Sequence, residues 1–253
     1  MYTVQQLKLN EQLSNDLDAL PAGHRALFAA ATTERLLPNY QAFSLVEGWG
    51  DYRILRTSLD FVWDALIAGD VPVQDAAPVK KMRRLCMRQM PDADDFVSLF
   101  VPLAQDAVSA VVCALEAADG VDAKQIADYA WKCTRTIENY LTDVSNPHLH
   151  SGGSAADFRR RYGGDQEAWE AMDRMERAKF CREQRELMRQ DMFDWVWGSP
   201  MMESEIGVIG DDINFLRRTP HLDPTVIEGL REVAVNRGIR PIQRCLVAPL
   251  VRP

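Results

Sequence analysis

The chain has 253 residues and a formal net charge of -8, from 29 basic against 37 acidic side chains. At this length one large domain buries roughly 70 to 75% of its unfolded surface, so no disulfide or metal staple is required. The acidic balance argues against general phosphate-backbone binding, no stretch approaches the roughly 18 uncharged apolar residues of a membrane span, and the N-terminal MYTVQQLKLNEQL lacks the basic start and apolar run of a signal peptide. The expected compartment is the cytoplasm, with neither nucleic acid nor membrane among the partners. Five cysteines (Cys86, Cys113, Cys133, Cys181 and Cys245) are scattered, with no C-x-x-C pair, and read as reduced core thiols.

Apolar residues recur at three and four throughout, and no alternation is long enough for a sheet, so the expected fold is all-α. Residues 22–37 carry Leu27, Phe28, Ala31 and Leu36 on a helix predicted to stop near Pro38, with Asn39, Gly48 and Gly50 supplying the turn. Over 53–68, Leu55, Leu59, Val62, Trp63 and Leu66 form one stripe of a core helix. After a loop from Val71 to Pro78, a short helix with Met82, Leu85 and Cys86 leads to Pro91. Asp92 or Asp94 is positioned to cap the next helix, whose stripe runs from Phe96 through Leu99, Phe100, Leu103, Ala107 and Val111 to Leu115 and ends at Gly120. Asp122, with Gln125 three residues on, starts a further helix facing Ile126, Tyr129, Cys133, Ile137 and Leu141 inward, and the short connection predicts antiparallel packing.

Residues 144–164, rich in glycine, read as a flexible loop; a charged helix then runs from about Asp165 to Trp197. The stretch 198–222 reads as an irregular elaboration, before a last helix with Asp223 as cap, Pro224 at the first position and a stop at Gly238. The expected architecture is a single bundle-like domain over 1–253 with seven to nine helices, carrying the 144–164 loop and an elaboration across 192–222.

Charge is uneven. Residues 1–79 hold ten acids against five bases and residues 91–130 eight against one, while Lys80, Lys81, Arg83, Arg84 and Arg88 form a run without any acid. That run reads as a solvated helix face neutralised by neighbouring acidic helices, or else as a site for phosphate or an acidic partner.

The segment Glu34-Arg35-Leu36-Leu37-Pro38-Asn39-Tyr40, followed by Phe43, Gly50-Asp51 and Leu59-Asp60-Phe61-Val62-Trp63-Asp64, resembles the opening half of the bacterial YjaG-like family. The resemblance continues through Ala93-Asp94-Asp95-Phe96, Pro102 and Asp106-Ala107, and ends with Ile227-Glu228-Gly229-Leu230-Arg231. It implies an all-α fold and no established activity. Small helical families of this kind also occur beside bacterial polymorphic toxins, which extends the implication to an immunity role. The 144–164 loop and the residues around 192–222 depart from the shorter members and inherit nothing.

Glu34, Asp51, Asp60, Asp64, Asp94, Asp95 and Asp106 are the set from which a metal or acid/base site could be built, and Asp60 and Asp64 share a helix face. Helical metal sites usually add an E-x-x-H pair, which is missing, and caps or ion pairs with Arg35, Arg53 or Arg56 account for the same residues. His148 and His150 form an H-x-H pair without a third ligand nearby; His24 and His221 stand alone. There is no nucleophile elbow, phosphate-binding glycine loop or dinucleotide fingerprint. Met192 to Met202 is rich in tryptophan and methionine, which suit either core packing or a partner surface. The expected function is therefore non-enzymatic protein binding without a cofactor: an immunity protein occluding a cognate toxin, such as a basic nuclease. Its candidate partner-binding residues are Trp195, Trp197, Met201, Met202, Asp92, Asp94 and Asp95. The alternative is a metal-dependent enzyme or regulator using the carboxylates.

Overall fold

The computed structural model describes residues 4–96, 100–143, 171 and 173–237. Among these residues there are nine α-helices and no strands: α1 Val4–Asp18, α2 Ala22–Glu47, α3 Tyr52–Ala68, α4 Ala76–Met87, α5 Val101–Ala118, α6 Ala123–Asp143, α7 Arg174–Trp197, α8 Pro200–Arg218 and α9 Pro224–Arg237. By their contacts the described residues group into two compact units, one within residues 1–136 and 205–253, the other within residues 137–204.

In the first unit α2 is the central element, lying along α5 and also meeting α3 and α9. Its 26 residues run straight through Pro38, against the predicted stop. Leu37, Asn39, Tyr40 and Phe43, all beyond or beside the proline, are buried, and their packing outweighs the one hydrogen bond that proline cannot donate. The helix ends at Gly48, whose φ of 63° is left-handed, so the expected turn keeps Gly48 and Gly50 but places Asn39 inside the helix. The α3 stripe is as expected, with Leu55, Leu59, Val62, Trp63 and Leu66 all buried and Asp51 capping through Arg53 N at 3.0 Å.

α5 starts at Val101, not at the aspartates. Asp92 instead accepts the Asp94 amide at 3.1 Å and closes a turn of its own, and Pro102, which fits a first helical turn, marks the true start. Phe96 consequently lies outside the helix, edge-on to Phe43 at 5.3 Å and Trp49 at 5.5 Å. By length and composition α5 is apolar enough to cross a bilayer, but 78% of it is buried within the protein. Asp122 caps α6 through the Gln125 amide at 2.9 Å. The Gln125 side chain turns to Glu116 of α5, completing no capping box. Pairing of Glu116 with Gln125, and of Asp106 with Arg135, fixes α5 and α6 antiparallel.

In the second unit Ile137, Tyr140 and Leu141 are buried on the end of α6. α7 opens with a capping box between Asp173 and Glu176. The predicted loop 144–164 and the start at Asp165 lie outside the described residues. The expected irregularity of 198–222 is corrected: only Gly198 and Ser199 separate α7 from α8, because Pro200 occupies the first helical position that proline favours.

Candidate functional site

Of the carboxylates nominated by the sequence, Glu34 and Asp60 share one ion-pair network, Asp51 and Asp106 belong to separate pairs, and Asp64, Asp94 and Asp95 are exposed. Glu34, on α2 and 4% exposed, receives both terminal nitrogens of Arg56 at 2.8 Å, and the Trp63 indole donates to the same carboxylate at 2.8 Å. Arg56 also reaches Asp60 one turn along α3, at 2.8 Å. From α9, Arg231 pairs with Asp60 while its guanidinium lies over the Trp63 ring, 5.5 Å from the centroid. Two arginines thus neutralise two acids across three helices, a charge-assisted network that leaves neither Glu34 oxygen uncommitted. Asp64, one turn further along α3, is exposed.

Deeper in the same unit, Arg35 is 1% exposed, with its Nε 3.1 Å from Glu205 and a terminal nitrogen 2.6 Å from Asp212. Burial pushes the Glu205 carboxyl above its ordinary value, an effect that Arg35 only partly offsets. The Cys133 thiol beside it is raised well above the thiol range by the same burial. Asp106 is fully buried, accepts two bonds from Arg135 and has Lys132 Nζ 3.7 Å away. Its pKa is raised by burial in spite of both cations, and burial lowers that of Lys132. Asp51, at the surface, is held below the usual range by its bonds from Arg53. Among the described residues no three His, Cys, Asp or Glu side chains are grouped to share a metal ion. His24 is buried with Nε2 2.7 Å from the Thr219 carbonyl, which anchors the end of α8; His148 and His150 lie outside the described residues.

Of the proposed partner-binding residues, Asp92, Asp94 and Asp95 are exposed. Trp195 is 38% exposed, whereas Trp197 is partly buried and stacks on Phe193 at 5.5 Å. Met201 is partly buried. Met202 is corrected: it is fully buried in the first turn of α8, so it offers no surface.

Lys80, Lys81, Arg83, Arg84 and Arg88 are all exposed, and among the described residues only Arg83 forms an ion pair, with Glu116 of α5 at 2.5 Å. The expected neutralisation by neighbouring acidic helices therefore reaches one cation of five. The signal was present in the absence of any acid between Ala76 and Met90.

These features define a class: an all-α protein whose interior acids are matched by arginines and whose unmatched charge is exposed. Residues 12–152 match the family described as "Protein of unknown function (DUF416)", and the chain belongs to that family. It is 34% identical over 80 residues to "Uncharacterized protein YjaG" of Escherichia coli (strain K12), and 32% identical over 80 residues to the proteins of that name from Salmonella typhimurium and Salmonella typhi. Each match takes in 32% of this chain and 39% of the relative, so the chain spans about two fifths of the curated relatives' length. The crystal structure of a DUF416 family protein from Shewanella baltica OS155 aligns with a TM-score of 0.64 over 89% of this chain and 94% of that one. At 23% identity that likeness concerns the fold alone.

Proposed function

We propose that this chain is a cytoplasmic protein-binding module that acts by occupying a partner, its most specific form being the neutralisation of a cognate toxin. One observation carries the proposal: acids with the geometry for chemistry, such as Glu34 and Asp60, are matched by arginines, while the unmatched charge of α4 and of the 92–95 turn is exposed. Arginine-bound carboxylates are poor metal ligands and poor bases, which favours binding over the enzymatic alternative. The exposed Asp92, Asp94 and Asp95 suit a basic partner such as a nuclease, because complementary charge speeds encounter and selects among partners. The test is recovery of the tagged protein from its native cells at moderate salt, with mass spectrometry of what remains bound. The expected outcome is a stoichiometric protein partner that weakens with D92N/D94N/D95N or with W195A. A protein recovered alone, or a partner indifferent to all four substitutions, overturns the acidic and tryptophan surface.

A further inference from the structure

Between α3 and α4 runs an open groove of about 780 Å³. Ile54, Ala77, Met82 and Leu85 give it an apolar lining, and on α4 it extends from Ala77 to Leu85. At helical rise that is about 12 Å, or two turns. Lys81 lines the groove, and Arg84 and Arg88 follow at three- and four-residue spacing on the same side of α4, with Lys80 beside them. The two acids of the groove are already engaged: Asp51 pairs with Arg53 at 2.9 Å, and Asp75 accepts the Ala77 amide at 2.9 Å as the α4 cap. Asp75 keeps its negative charge while capping α4, so against that one carboxylate the four cations Lys80, Lys81, Arg84 and Arg88 leave the α4 edge of the groove net positive.

Apolar lining and cationic edge together specify an occupant. A polyanion is disfavoured, because the chain carries -8 overall and repels long phosphate backbones and anionic membranes at a distance. A short helix with an apolar stripe and acidic residues along one edge satisfies both features at once, its stripe on Ile54, Met82 and Leu85 and its carboxylates against Lys81, Arg84 and Arg88. We infer that the α3–α4 groove docks an acidic amphipathic helix of a partner protein. This rests on the protein-binding reading but assigns the contact to a surface distinct from the acidic turn.

The experiment is selection of a displayed random-peptide library on the full chain, with K80E/K81E/R84E/R88E as the counter-target and circular dichroism to confirm that the variant is folded. These four side chains are exposed and form no ion pair among the described residues, so their reversal should leave the fold intact. The expected winners combine Asp or Glu with apolar residues at three- and four-residue spacing. As labelled synthetic peptides they should lose about tenfold or more in affinity on the reversed variant and on M82E, weaken with added salt, and bind D92N/D94N/D95N unchanged. Winners without acids, no enrichment over the reversed variant, or tighter binding of an oligothymidylate or phosphatidylserine vesicles would overturn the inference. A native partner that binds the reversed variant normally would remove the groove while leaving the protein-binding reading standing.

Discussion

Gly50 shows how one position couples backbone and side chain. Its φ of 80° belongs to the left-handed region, and a Cβ added there collides with the Tyr40 hydroxyl. Next to it, the Asp51 amide donates to the Gln89 side chain at 2.8 Å, so the turn between α2 and α3 is held by the second residue after α4. G50A should cost about 2 to 3 kcal/mol, the sum of strain and collision. Combining it with Y40F removes the hydroxyl and should recover about 1 kcal/mol of that loss in a double-mutant cycle read by chemical denaturation. Additive losses would show that the collision is relieved elsewhere.

Between elements, the Arg35 pairs join α2 to α8 inside the apolar core. Removing the cation leaves Glu205 buried without its partner and Asp212 with only Arg237, 3.7 Å away, and R35A should destabilise by about 3 to 5 kcal/mol. Replacing all three residues by apolar ones of similar size, as in R35M/E205L/D212L, should recover most of that stability, because the desolvation of the charges is removed together with their attraction. Equal losses in the single and triple variants would show that the ion pairs themselves, rather than the absence of orphaned charge, stabilise the core. Lys80, Lys81, Arg84 and Arg88 behave oppositely: exposed and without an ion pair among the described residues, they should move stability by no more than about 0.5 kcal/mol when reversed.

At the scale of the whole molecule, stability depends on pH through carboxyls shifted in opposite directions. Asp106 and Glu205 have folded pKa values above their ordinary 3.8 and 4.5, so in the windows just above those values the native state holds more protons than the unfolded chain. Their contribution makes stability fall as pH rises through these windows and increase as pH is lowered. Asp51 acts in the other sense, its contribution being present above 3.8 and lost as pH falls through its lowered folded value. Thermal melting of D106N against the native sequence from pH 7 downward checks the balance. The variant should fall progressively further behind as pH approaches the ordinary carboxylate range, whereas parallel curves would show that Asp106 titrates alike in both states.

The sequence by itself determined the helical class and the cores of its elements. The α3 stripe, the caps at Asp122 and Asp223 and the family resemblance all follow from side-chain spacing and local hydrogen bonding, which act within a few residues. Several features needed the tertiary structure. It carried α2 through Pro38, turned Asp92 from a helix cap into the closure of its own turn, and buried Met202. The candidate site divides the same way. The five cations of α4 were visible as a run, but that one of them is paired and four are not depends on which acids lie opposite. Likewise Arg56 reaches Glu34 only because α2 and α3 pack together, and Asp60 gains its second arginine only because α9 brings Arg231 to it from 171 residues away along the chain. Local periodicity fixes which face of a helix is apolar; which charges end up neutralised is fixed by long-range packing, because an ion pair forms only where the fold brings both partners within a few ångströms.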